Sequence, residues 1–180
     1  MENVTINLEK LCRYQMWADN IVQDIIRGLT EEEFTREIGP PFGSVKNLCV
    51  HIVVALEYNI ESFIKKIDVN GEELYETLEN LSKDELIIKW EETDKKLLEH
   101  VKGTTELVRF PNFVSGGDMV LEPEDFYTQY ILHTTYHRGQ LLSMIKMLGK
   151  EGEPTDYLFY LFHLKRAIKK EPRGSVIFNQ

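Results

Sequence analysis

Apolar side chains recur along most of the chain at the three- and four-residue intervals of helices that bury one face. From about Asn7 to Leu29, Leu8, Leu11, Cys12, Trp17, Ile21, Ile25 and Ile26 mostly keep that spacing, and Gly28 lies near the end. The stretch IGPPFGS interrupts the pattern with prolines and glycines. Ser44 is placed to cap a second helix whose inner face carries Val45, Leu48, Cys49, Ile52, Leu56, Ile60, Phe63 and Ile67, until Asp68 to Gly71 ends it. A third helix, roughly Ser82 to Val101, has Ser82 as cap, Glu85 at the capping-box position, and Leu86, Trp90, Leu97 and Val101 inside.

From Gly103 to Pro123 the pattern changes. TTELVRF and DMVLE are short β-favouring runs separated by PNFVSGG, which predicts a small hairpin or irregular excursion rather than a second domain. A fourth helix follows from about Glu124 to Leu148, ended by Gly149, and a short fifth runs from about Asp156 to Lys169 after Pro154. No repeat or linker divides residues 1–180. Four long amphipathic helices with polar connectors predict one all-α domain, an antiparallel four-helix bundle with the hairpin and last helix as additions.

Composition narrows the function. At 180 residues, 42% hydrophobic and 11% aromatic, the chain can bury one sizeable core. A net charge of −9 and a pI near 5.1 argue against a nucleic-acid partner, because binding a polyphosphate depends on a basic surface that releases counterions. MENVTINLEK lacks the pattern of a signal peptide, and no apolar run approaches the roughly 18 residues of a membrane span, so a cytoplasmic protein with no membrane partner is expected. Cys12 and Cys49 stand far apart in apolar helical contexts and read as reduced core thiols.

The histidines are the chemistry-bearing feature. In the fourth helix Phe126, Tyr130, His133, His137, Leu141, Met144 and Leu148 form one inward stripe, so the imidazoles of His133 and His137 both face the core. Positions four apart on a helix lie about 6 Å along its axis and about 40° around it, which lets two rings converge on one ion. His51 extends the set from the second helix, one turn before Ala55. Burying three neutral imidazoles without partners costs on the order of 1–3 kcal/mol each, whereas a divalent cation uses their lone pairs. His100, beside Glu99 near a helix end, reads as a solvated terminus, and His163 as a core or interface residue.

These segments together resemble the DinB-like superfamily of metal-binding four-helix proteins, over nearly the whole chain. YQMWADN (Tyr14 to Asn20) is similar to its first-helix aromatic motif, SVKNLCVHI (Ser44 to Ile52) to its capped second helix, HTTYHRGQL (His133 to Leu141) to its best-known signature, and EPTDYLFYL (Glu153 to Leu161) to its closing segment. The resemblance implies His51, His133 and His137 as metal ligands, the same triad that periodicity singles out, and it implies a homodimer. Arg138 reads either as an anion ligand or as a salt-bridge partner, and Gly139 as a site of close helix packing. Gln129 and Gln140 are placed to hold ligand rings from behind or to lie exposed, and Tyr14 and Trp17 read as core aromatics that also line a pocket.

Three neutral nitrogens leave an open position on zinc, nickel or iron(II) for water, substrate or thiolate. The metalloprotease HExxH is absent, since Thr134 and Thr135 follow His133, and a two-histidine, one-carboxylate iron site matches poorly. The resemblance, whose members include thiol-dependent transferases, favours a metal-dependent enzyme that passes a low-molecular-weight thiol to an electrophile. Metal-dependent hydrolysis and a non-enzymatic metal-binding stress protein are the alternatives.

Overall fold

The computed structural model describes residues 7–111 and 115–169. Its elements are α1 (Leu8–Arg27), α2 (Glu31–Thr35), α3 (Val45–Asn59) prolonged by a π-helical turn (Ile60–Ile64), α4 (Gly71–Glu79), α5 (Lys83–Gly103), a hairpin of β1 (Val108–Pro111) and β2 (Asp118–Leu121), α6 (Pro123–Met147) and α7 (Tyr157–Lys169). The expected all-α fold is therefore present. Local chemistry sets the starts: Asn7 Oδ1 accepts from Lys10 N at 2.8 Å and Ser44 Oγ from Asn47 N at 3.2 Å, while Thr30 with Glu33 and Ser82 with Glu85 close capping boxes. Pro123 opens α6, where its missing N–H costs nothing.

Two apolar clusters mark the ends of the bundle and give the helix directions. One joins Val22 and Ile26 late in α1, Val45 and Leu48 at the start of α3, Leu86 and Trp90 early in α5, and Leu141 and Ile145 late in α6. The other joins Cys12 early in α1, Leu56 late in α3, Leu97 late in α5, and Phe126, Tyr127 and Tyr130 early in α6. So α1 and α6 run one way, and α3 and α5 the other. Both α1 and α3 pack against α5 and α6. The antiparallel relation holds for α1 with α5 and for α3 with α6, whereas α1 with α6 and α3 with α5 are parallel. A parallel pair needs a long crossover. Here α4 supplies it, lying along α3 from Gly71, against the Tyr58 ring, to Leu78 in the first cluster.

The differences from the periodic reading have local causes. The second helix was expected to continue through Ile67, but from Ile60 the ladder slips to the wider π register, with Lys65 N donating to Ile60 O at 3.0 Å, and Ile67 is 50% exposed. The short helices α2 and α4 lie in stretches read as connectors. The hairpin is antiparallel, pairing Val108 with Leu121 and Pro111 with Asp118, and part of PNFVSGG lies outside the described residues. In α1 the fully buried side is rotated from the expected one: Leu8, Leu11, Trp17, Ile21 and Ile25 are only partly covered, while Gln15, Asp19 and Gln23 are sealed inside.

Both cysteines are free and buried, as expected; burial pushes the Cys12 thiol up to about 12 and raises Cys49 further. No helix among the described residues is long and apolar enough to cross a membrane. The junction of α1 with α5 is closed by Lys83, whose Nζ donates to Arg27 O at 3.1 Å and to Leu29 O, satisfying carbonyls at the C-terminal end of α1. Lys83→Met keeps the apolar stem and leaves those carbonyls unpaired; urea denaturation is expected to show a loss of about 1–3 kcal/mol.

Candidate metal centre

The packing of α3 on α6 brings His51, His133 and His137 together. Ring centroids lie 4.3 Å apart for His133 and His137, 4.6 Å for His51 and His137, and 5.4 Å for His51 and His133. One nitrogen from each falls within 4.8 Å of the others, a group that can hold a metal ion. His51 Nε2 and His137 Nε2 are 3.1 Å apart. Two lone pairs facing each other at that separation repel unless a proton or a cation lies between them. In a tetrahedral site with metal–nitrogen bonds of about 2.0–2.1 Å, ligand nitrogens stand about 3.3 Å apart, so the pair is already close to ligand spacing. His133 Nε2 is buried with no hydrogen-bond partner, and a cation would use its lone pair.

The surroundings hold the rings in the ligating form. His137 Nδ1–H donates to Gln140 Oε1 at 2.6 Å, which leaves the Nε2 lone pair toward His51, and Gln140 Nε2 donates to Tyr136 OH at 3.2 Å. Burial, then the neighbouring His137, lowers the pKa of His51. Burial, then His137 and His51, pulls His133 down to about 4. These two rings are therefore neutral at pH 7, the state in which imidazole binds a metal.

The segment that breaks the first two helices turns out to build a wall of the site. Gly43 has φ +76° and a Cβ there would come within 2.7 Å of the Glu37 carboxylate, so the tight 39–43 turn requires glycine. Ile38 N and Gly43 N close the turn on Gly43 O and Gly39 O at 2.6 and 3.0 Å. This turn delivers the Phe42 ring to 5.0 Å from His51 and 5.3 Å, edge-on, from His137; Tyr136 lies 5.1 Å from His137. Phe42, Tyr136 and Gln140 also border a neighbouring cleft of about 420 Å³ that Ile38, Pro40, Met144 and Met147 help to line and that none of the three histidines lines.

The other singled-out residues sort clearly. Arg138 is a salt-bridge partner: with 1% of its surface exposed, it donates to Asp19 Oδ1 at 2.6 Å, Tyr14 OH at 3.0 Å and Thr135 Oγ1 at 3.1 Å. Tyr14 OH donates onward to Thr155 O at 3.0 Å, and Tyr14 and Trp17 pack on Tyr160 of α7. Tyr14 also borders a pocket, as expected, although that pocket lies beside Lys146 and residues 152–156 and includes none of the three histidines. Gln140 holds a ligand ring, whereas Gln129 is exposed. A Cβ on Gly139 would meet nothing within 4 Å, so Gly139 does not serve close helix packing. His163 is exposed with its ring 5.9 Å from Trp17. His100 is half-buried rather than solvated, and burial, then Lys65, lowers its pKa.

Two important residues were missed. Phe42 sat in a segment read only as a break. Asp19 carried a usable signal, because Gln15, Asp19 and Gln23 recur every four residues and mark one polar stripe.

Calorimetric titration with zinc is expected to give one ion per chain. His137→Ala should abolish tight binding, and Gln140→Leu should weaken it about 10–100-fold, while Gln129→Leu leaves it unchanged.

The chain is similar to known proteins. The model of the DinB family matches residues 1–171. Protein DinB of Bacillus subtilis (strain 168) is 26% identical over 163 residues, covering 87% of this chain and 94% of that one. A DinB-like protein from Bacillus cereus ATCC 10987 superposes with a TM-score of 0.58 at 17% identity, over 80% of this chain and 94% of its own. A protein assigned to the DinB family from Exiguobacterium sibiricum 255-15 gives 0.60 at 17% identity, over 83% and 97%. These two structural matches speak for the fold alone. The family match spans nearly the whole chain and includes all three histidines, and the chain belongs to the DinB family.

Proposed function

We propose that the chain holds a divalent first-row metal, zinc, nickel or iron, through His51, His133 and His137, and transfers a low-molecular-weight thiol to an electrophile. The observation that carries this reading is the cluster itself: three imidazole nitrogens with no carboxylate or thiolate in the group, one of them buried without a partner. A cation held by three neutral nitrogens keeps an open position and supplies the Lewis acidity that favours thiolate over thiol at neutral pH.

The chain's own residues support the rest. Cys12 and Cys49 are its two cysteines, both are sealed in the core, and burial holds both thiols protonated, so the nucleophilic sulfur must come from outside. Gln140 orients His137, and Phe42 shields the His51 and His137 rings. The cleft bordered by Phe42 and Tyr136 has an uncharged lining, which suits a neutral, apolar electrophile. In the transfer a carbon–sulfur bond forms as a carbon–oxygen or carbon–halogen bond breaks, and the leaving atom takes the electron pair. Hydrolysis is the weaker reading, because the group contains no carboxylate to act as general base.

The reading is tested by incubating metal-loaded protein with an epoxide or a haloaromatic and each of bacillithiol, glutathione, coenzyme A and cysteine. Conjugate should form only with both metal and thiol, should stop on chelation, and should be lost in the alanine variants at His51, His133 and His137 but kept in His163→Ala. Thiol-independent ester cleavage would establish the hydrolase instead. No rate above metal plus thiol would leave a non-enzymatic metal-binding role.

A further inference from the structure

Behind the histidines, the core of the bundle contains more acid than base. Asp19 on α1 and Asp94 on α5 are 0% and 2% exposed; of the buried cations, Lys83 is committed to the Arg27 and Leu29 carbonyls, and Arg138 of α6 lies beside Asp19. Arg138 is committed to Asp19 by a 2.6 Å ion pair. Asp94 Oδ1 accepts only the Gln15 amide, at 3.3 Å, and its Oδ2 has no partner. A buried carboxylate without a cation is among the most costly groups a core can contain, whereas the neutral acid is both cheaper to bury and a hydrogen-bond donor.

A protonated Asp94 also adds a donor to this neighbourhood, where Trp90 Nε1 and Arg138 Nε are likewise donors without a partner. Asp19 Oδ2 and Gln15 Oε1 are buried acceptors left unpaired, and both belong to the α1 stripe that faces Asp94. We infer that Asp94 retains its proton at neutral pH, a neutral acid beside the Arg138–Asp19 ion pair.

The charged and titratable groups facing Asp94 favour the proton on balance. Asp19 from α1 and Glu91 from its own helix disfavour its ionisation, and Cys12 of α1 is a neutral thiol beside it. Arg138 from α6 acts the other way but is the weaker influence, and burial acts most strongly to keep the proton on. On the α3 side, Glu57 is occupied by Lys89, Lys96 and Thr93. Asp94 thus works as a pH-sensitive latch between α1 and α5. Its folded-state pKa lies above its unfolded one, so the stability it contributes is complete below about pH 4 and declines as pH rises toward the folded value. Ionisation would set two carboxylates against one guanidinium and loosen the junction of α1, α5 and α6.

The test uses the full-length protein. Carbon-13 NMR of aspartate-labelled protein at neutral pH should show one carboxyl in the protonated range, absent from Asp94→Asn. Urea midpoints compared from about pH 5 to about pH 9 should show Asp94→Asn gaining on wild type as pH rises, because the amide mimics the neutral acid. Asp19→Asn should lower the midpoint at every pH, since it strips Arg138 of its counter-charge. The inference is overturned by wild-type spectra in which every aspartate is ionised, by a protonated signal that survives Asp94→Asn, or by equal losses in the two variants. If Asp94→Asn does not fold, Asp94→Glu decides: loss of the protonated aspartate signal in that variant supports the inference, and its persistence overturns it.

Discussion

A guanidinium sealed in a protein core must meet a counter-charge, and the Arg138–Asp19 pair meets that requirement at one fixed place, where α6 crosses α1. Successive residues on a helix point about 100° apart, so turning Arg138 toward α1 aims its neighbour His137 away, toward α3. His133, one turn earlier, follows the same direction. The histidine-bearing face of α6 is thus set from behind by an ion pair that contains none of the three histidines. Tyr14 and Thr135 add two more bonds to the same guanidinium, and Tyr14 carries the restraint on to Thr155 just before α7.

This arrangement keeps two incompatible environments apart. On the α1 side of α6, formal charges are buried and paired. On the α3 side, burial without counter-charges drives His51 and His133 toward the neutral form. A carboxylate among the histidines would raise their pKa and set protons in competition with a metal ion at neutral pH. The nearest groups are instead an amide, Gln140, and two aromatic rings, Phe42 and Tyr136, which orient or shield the imidazoles without adding charge. The packing order serves the same segregation, with α3 beside α6 and with Glu91 and Asp94 of α5 against α1.

Much of this was legible in the chain. The amphipathic spacing gave four long helices, and the step of four between His133 and His137, with His51 on another apolar face, identified the cluster. What periodicity could not provide was the rotation of each helix about its axis. On α1 the apolar positions cover both flanks of the helix while Gln15, Asp19 and Gln23 fill the contact between them, so a rule that turns apolar residues inward picks the edges and misses the centre. On α6 the same effect places Thr134 and Arg138 at full burial and His133 only halfway in. Helix direction was also hidden, because connector length alone does not reveal that α4 returns along α3. Phe42 escaped because its position depends on a turn whose glycines read simply as a stop.

The two cysteines bear on the chemistry through the same packing. Cys12 belongs to the apolar cluster with Leu56, Leu97 and Tyr127, and Cys49 to the one with Leu48 and Val53, at opposite ends of the bundle. Neither lies in an electropositive, accessible setting of the kind that activates a thiol, and burial raises the pKa of both. A thiolate produced inside this fold would have to form in its apolar core. In the histidine cluster, by contrast, His51 and His133 are only half-buried, and one nitrogen has no protein partner. Sulfur chemistry on this protein would therefore have to draw its sulfur from solvent rather than from Cys12 or Cys49.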